Sequence, residues 1–474
     1  MNVLMVGRFI ILSLIVFANP VFAIDDKAGD IKGRIADSID AKESEYAKIA
    51  RQIWEFAEVS FCEVKSASLL QSKLKEEGFS VEAGVAGLET AFVATYGEGK
   101  PIVGILAEFD ALPGMSQDAV AERKVLVDGG PGHGCGHNLF GTGSVAAAIA
   151  VKEWLAKSGS SGTIRLYGTP AEEQGAGKVQ MAKAGLFGDV DAVLCWHPWD
   201  ENDASPRTTL AIMSVKFRFY GQASHAAVAP ERGRSALDGV EAMNYMVNML
   251  REHIPSDSRI HYVITQGGEA PNIVPEFAEA HYFVRHSKTE VLQQIWLRVV
   301  DAAEGAARGT GTRVEHEILS GNYSVLINET LARLMDKNLR LVGGVKYTDE
   351  ERAFAEAISK TLGKDSKAPG TEEVIQAYEL KEGKGSTDVG DVSMIAPTAE
   401  VLTAARVPGT AAHTWQATAA SGMSIGTKGM IVAAKTMAFT AVDIFMNPSY
   451  AKQAREELEK RRGADFKYQP LFGW

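Results

Sequence analysis

The sequence predicts an α/β protein in which a domain with a central mixed sheet is interrupted by a ferredoxin-like α+β domain. Three observations predict it. Strand and helix patterns alternate from Tyr46 to Trp196; a β-α-β-β-α-β order runs from Leu210 to Leu319; and helical periodicity resumes behind it, most strongly over Met430–Ala441.

Tyr46, Ile49, Ala50, Ile53, Phe56 and Ala57 recur at the spacing of one helical face, and Pro101–Ala107 is a short apolar run of strand type. Val145–Leu155 reads as a helix, Thr163–Tyr167 as a strand, Val179–Ala184 as a helix and Ala192–Trp196 as a strand. Ligands are expected beyond the carboxyl ends of such strands. The interrupting unit supplies strand Leu210–Tyr220, helix Ala236–His253, strands Ile260–Thr265 and Phe277–Val284, helix Val291–Ala307 and strand Arg313–Leu319. The divisions are therefore 24–209 and 323–474 for the two parts of the first domain and 210–322 for the insert. Gly363–Gly385, rich in Lys, Glu and Gly, reads as a surface excursion.

At 474 residues, 46% of them hydrophobic, the chain can bury the cores of two domains. A net charge of −11 without a basic stripe excludes nucleic acid as a partner. Residues 1–23 read as a signal peptide: Arg8 is the positive n-region, Phe9–Phe17 the apolar run and Val21-Phe22-Ala23 the small-residue cleavage site. That run is shorter than the ~20 residues of a membrane span. The mature chain is thus expected to be exported, periplasmic in a Gram-negative cell, with no membrane span. Three cysteines, Cys62, Cys135 and Cys195, are too few for a disulfide framework. Cys62 and Cys195 are expected to be small buried hydrophobes.

The densest chemical signal is Gly132-His133-Gly134-Cys135-Gly136-His137-Asn138, just before the Val145 helix, where glycines let the backbone turn sharply. A thiolate and an imidazole two residues apart suit zinc or another borderline divalent ion. Further ligand types fall at successive strand ends: Glu108 and Asp110, then Glu172 and Glu173, then His197. Neighbours in an extended loop point in different directions, so one glutamate of the pair can hold a metal while the other holds a water. His413, far away in sequence, completes a five-ligand set.

These segments, with Ala192–Pro198, His413-Thr414-Trp415-Gln416 and Thr387–Ser393, resemble the dinuclear metallopeptidases that include aminoacylases, carboxypeptidase G and the auxin-conjugate amidohydrolases. Within that family the pattern is most similar to the p-aminobenzoyl-glutamate hydrolase subgroup, and the resemblance covers about Tyr46 to Ala441. It implies a metal-dependent amidohydrolase that cleaves the amide bond of an N-acyl amino acid, and in the subgroup releases p-aminobenzoate and glutamate. It makes Cys135, His137, Glu173, His197 and His413 the ligands of two divalent ions, manganese or zinc. Glu172 becomes the general base, Asp110 a carboxylate that orients a ligand, and His225 a histidine that steadies the reacting carbonyl, often across a dimer interface. Asn272 and Arg285 match substrate-binding positions. The resemblance also implies that the insert is a lid and dimerisation domain, and that the chain forms a homodimer or associates with a related subunit. Asn138, where many relatives have Asp, and Glu108, where Asp or His is usual, depart from the wider family. Trp196, Trp199 and Trp415, flanking His197 and His413, read as a slot for an aromatic ring.

Two other readings compete. A metal-dependent dipeptidase or general N-acyl amino acid hydrolase would differ only in the acyl pocket. An exported solute-binding protein could share the two-domain plan, yet it has no need of a Glu172-Glu173 pair beside five metal-type ligands.

Overall fold

The computed structural model describes residues 20–363, 367 and 370–471, with side chains from residue 29 onward. Most of the leader segment 1–23 lies outside the described residues. Ten strands among the described residues form the two main sheets: β1 (Ser80–Ala83), β2 (Phe92–Glu98), β3 (Ile102–Ala107), β4 (Gly162–Gly168), β5 (Ala192–Trp199), β6 (Ala211–Tyr220), β7 (Arg259–Gln266), β8 (Phe277–His286), β9 (Arg313–Asn322) and β10 (Thr398–Ala404). A six-stranded sheet has the order β1-β2-β4-β3-β5-β10. Its β3, β4, β5 and β10 run parallel, and β1 and β2 add an antiparallel edge. The sheet is left after β5 and rejoined at β10.

Between those strands lies a four-stranded antiparallel sheet of order β9-β6-β8-β7, which is the ferredoxin-like arrangement. Alternation is clearest in the outer half of β6. In β6, Ala211, Met213, Val215, Phe217 and Phe219 are fully buried, while Lys216, Arg218 and Tyr220 face outward. Helices Ala236–Leu250 and Thr289–Thr310 cover the apolar face and form a second core, separate from the first. Each fully buried aliphatic side chain contributes roughly 1.5–3 kcal/mol relative to exposure.

Helices His137–Ser158 and Ser424–Met446 pack together against the six-stranded sheet. Both are long and apolar enough to cross a bilayer, but most residues of each are buried inside the molecule.

Several expectations are corrected. The helix expected from Val145 starts at His137, so the first turn carries the metal-type histidine. Gly143 inside this helix allows close approach: a Cβ there would lie 2.9 Å from the Trp196 ring. Strand β5 runs on to Trp199, so His197 sits inside the strand, opposite Leu402, and not after it. Helix Pro20–Ala41 and the β1–β2 edge went unread, being short or weakly periodic. The surface excursion docks instead: Lys381–Glu382 pairs with Arg207–Thr208, and Glu372 is buried, its carbonyl accepting from Asn202 at 2.7 Å. Cys62 is exposed, in the loop between helices Glu43–Phe56 and Val64–Glu76, whereas Cys195 is buried as expected.

At the carboxyl end of the chain, Tyr468 donates to Asp391 at 2.8 Å and Leu471 is buried in the second core. The tail therefore ties the two sheets together.

Candidate metal centre

Three strand ends and two loops deliver the site. Asp110 follows β3, Glu172 and Glu173 follow β4, and His197 is carried by β5. The loop ending at Gly136 brings Cys135, and the first helical turn behind it brings His137. His413 arrives from a distant loop, its amide bonded to the Gly134 carbonyl at 3.0 Å and its φ held at 58°. A positive φ on a residue with a side chain is costly and marks a position fixed by its surroundings.

The side chains form two triads that share the thiol: Cys135 with His137 and His197, and Cys135 with Glu173 and His413. Within each, the ligand atoms lie within 4.8 Å of one another. Cys135 Sγ is 3.4 Å from His197 Nε2, and Glu173 is 3.5 Å from His413 Nε2. Asp110 stands behind them. It accepts from His137 Nδ1 at 2.8 Å, from the Glu173 amide at 2.9 Å and from the Ser60 hydroxyl at 3.1 Å. This fixes the imidazole with Nε2 turned into the cluster, the usual outer support of a metal-bound histidine.

Donor chemistry and missing partners both fit cations. His137 Nε2 and Glu173 Oε1 are buried without hydrogen-bond partners, a costly arrangement that ligation would relieve. The field favours positive charge. Burial opposes a charged Cys135, yet His197 and His137 beside it hold the thiol well below its ordinary value. Burial also opposes a charged His137, but Cys135, Glu108 and Asp110 carry it well above the usual histidine range. Hydrogen bonds to Cys135 and Glu173 push His413 up to about 10. A site that binds protons this strongly attracts divalent ions for the same reason.

Glu172 belongs to neither triad. Burial, then Glu108, Glu173 and Asp388, lift its carboxyl well above the ordinary glutamate range. Its carboxylate groups with Glu108 and His137 in a third set, but Glu108 is already engaged. Fully buried Lys178 reaches Glu108 at 2.6 Å and Asp388 at 2.7 Å. Sequence reading missed Lys178, since a lysine at the start of a short helix carries no motif; Asp388 lay in a stretch noticed without a role. His133, the other motif histidine, turns away to the Ile53 carbonyl at 3.0 Å.

The remaining candidates are not part of the cluster. His225 and Asn272 are exposed neighbours in the second unit: the Asn272 carbonyl accepts from the Ala226 amide at 3.0 Å, and His225 bridges Ile273. Neither contacts a metal-type ligand of its own chain among the described residues. Arg285 lies on β8, its guanidinium 5.3 Å from the Phe283 ring and its buried Nε unpartnered. Trp196 is fully buried and donates to the Phe140 carbonyl at 3.0 Å, so it is core and cannot stack on a substrate. Trp199 and Trp415 are half-buried.

Known proteins resemble this chain in sequence and fold. The model of peptidase family M20/M25/M40 matches residues 104–364. A p-aminobenzoyl-glutamate hydrolase subunit of Escherichia coli K12 is 41% identical, over 90% of this chain and 94% of its own length. Xaa-Arg dipeptidase of Mus musculus is 29% identical, over 90% and 92%. A dinuclear metal binding peptidase of the M20 family from Bacillus subtilis superposes with a TM-score of 0.59 at 19% identity, covering 86% of this chain and 99% of that one.

Proposed function

We propose, from the premise that the chain belongs to peptidase family M20/M25/M40 and is a metal-dependent amidohydrolase, that its substrate is an aroyl amino acid and specifically p-aminobenzoyl-glutamate. The observation that carries the site assignment is the pair of triads sharing Cys135, with Glu172 beside them and outside both. On this reading Cys135, His137, Glu173, His197 and His413 hold two divalent cations, zinc or manganese. Thiolate and imidazole suit zinc, and the carboxylate admits manganese. When bound, such ions acidify water and polarise an acyl carbonyl.

The chain's own residues do the rest. Glu172, with its raised proton affinity, takes a proton from the attacking water and passes it to the departing amine. Asp110 keeps His137 and the Glu173 backbone in place. His225 accepts the Ala227 and Val228 amide hydrogens at Nδ1, each at 3.2 Å, which assigns its proton to Nε2 and makes it a donor for a developing oxyanion. Because His225 stands apart from the cluster in its own chain, it reaches the substrate by domain closure or from a second subunit, either a copy of this chain or a related one. Asn272 and Arg285 receive the glutamate carboxylates. The leader in residues 1–23 directs the protein out of the cytoplasm, which N-terminal sequencing of the mature protein tests.

Metal analysis of the purified protein, followed by mass-spectrometric detection of glutamate released from p-aminobenzoyl-glutamate, tests this reading. Absence of bound metal together with absence of glutamate release overturns it. The dipeptidase relative supports a second reading, and faster release of amino acids from a dipeptide panel would favour it.

A further inference from the structure

The segment Val59–Glu63 clamps the turn that carries Glu172 and Glu173. Val59 pairs with Ala111, and Ser60 donates to Asp110 at 3.1 Å. Glu63, fully buried, accepts the Ala171 amide at 2.8 Å and the Thr90 hydroxyl at 3.1 Å. Between these anchors stands Phe61, with a backbone φ of 65°. A bulky residue in the left-handed region is a true outlier, tolerated where its surroundings impose it. The turn beneath is strained as well: Ala171 and Ala176, on either side of the two glutamates, have φ of 60° and 52°.

This strain does not serve the core. Phe61 is 43% exposed and belongs to neither hydrophobic core. One edge of its ring lies over Gly175, two residues after Glu173, where a Cβ would come within 2.2 Å of Cε2, so only glycine admits the ring there. The rest of the ring reaches solvent. A large apolar ring held in a costly backbone, half in solvent, two residues from a buried anchor and against the turn of the base, is placed for a ligand.

We propose that Phe61 is the platform on which the acyl ring of the substrate rests, and so the residue that selects aromatic over small acyl groups. The proposal rests on the aroyl-amide reading above. It gives the ring a partner that Trp196, buried in the core, cannot provide. Offset or edge-on packing against Phe61 recognises any planar aroyl group and leaves an acetyl group without a contact.

The test compares p-aminobenzoyl-glutamate with acetyl-glutamate in the metal-loaded wild type, Phe61→Ala, Phe61→Leu and Phe61→Tyr, and measures inhibition by free p-aminobenzoate. Phe61→Ala and Phe61→Leu are expected to reduce the kcat/KM preference for the aroyl substrate at least about tenfold. The loss should fall mainly in KM, with p-aminobenzoate inhibition weakened in parallel and metal content retained. Phe61→Tyr keeps the ring and the preference. A variant that loses both substrates equally shows that Phe61 only props the Glu172 turn, and overturns the platform. If Phe61→Ala fails to fold, the near-isosteric Phe61→Leu decides alone, and an unchanged preference there also overturns it. A wild type without any aroyl preference sinks the aroyl reading and the platform with it, whereas a wild-type preference that survives in both ring-less variants sinks the platform alone.

Discussion

The end of the six-stranded sheet and the candidate substrate-binding groups of the second unit are held in different ways. Beyond β3, β4 and β5, charged and ligand-type groups are bonded to one another and mostly buried: Asp110 to His137, Lys178 to Glu108 and Asp388, and Glu173 to His413, whose ring is exposed at the rim. Isolated burial of any of these would cost several kcal/mol, so each is held by a partner or turned toward a common centre. On the second unit, His225 and Asn272 stand in solvent, and Arg285 has a buried Nε with no partner. One region is assembled within the chain; the other waits for what binds. The difference teaches that the ligand-type groups are brought together within the first region, so that under the proposed function the substrate contacts depend on bringing the second region to it.

The comparison breaks most completely at the shared thiol. Cys135→Ala removes a ligand from both triads, so loss of both ions and of detectable turnover is expected. Retention of two ions per chain by elemental analysis would show that the triads do not share it.

Glu172→Gln is expected to cut kcat by about 10²–10⁴ with metal content nearly intact, because it removes a proton acceptor and not a ligand. Glu173→Gln should instead lose metal. Turnover and metal stoichiometry on the same samples separate the two glutamates, and near-wild-type turnover in Glu172→Gln would refute the base assignment.

On the second unit, His225→Ala should lower kcat by about 10²–10³ without changing the melting temperature, since an exposed side chain that serves the transition state adds little to folding. Mixing inactive His225→Ala chains with inactive Glu172→Gln chains sharpens the comparison. Regained activity places His225 across an interface, and its absence places it within one chain.

The smallest effect concerns the junction between the regions. Burial pushes the Asp391 carboxyl up to about 7, with the Tyr468 hydroxyl and the Tyr323 amide pulling it down. Its folded affinity for a proton exceeds the unfolded one, so this contribution to stability is present in acid and is lost as pH rises from about 4 to about 7. Asp391→Asn should flatten that part of a plot of melting temperature against pH. An unaltered slope would place the titration elsewhere.

Much of the first region was legible because its signals are local. A Gly-rich Cys-x-His run, a Glu-Glu pair behind an apolar strand and a histidine in a strand all declare their chemistry within a few residues. His413, whose own neighbourhood says little, joined the set only in company with the other ligand types. The strand and helix order of the second unit was equally plain, since each element is an apolar run bounded by polar and glycine-rich turns. What stayed hidden depends on residues hundreds of positions apart, such as Lys178 meeting Asp388, or on exposure, such as Cys62.

By itself the sequence determined the order of strands and helices and the identity of the ligand types, because periodicity and motif spacing are properties of a few consecutive residues. Only the tertiary structure decided which carboxylate is free to act. Glu108 and Glu172 are both glutamates near strand ends, but Lys178 engages the first, and the Phe61 clamp holds the turn of the second beside the triads. That choice is made by which charges are brought together in a low-dielectric interior, where an ion pair fixes one side chain and leaves its neighbour available for chemistry.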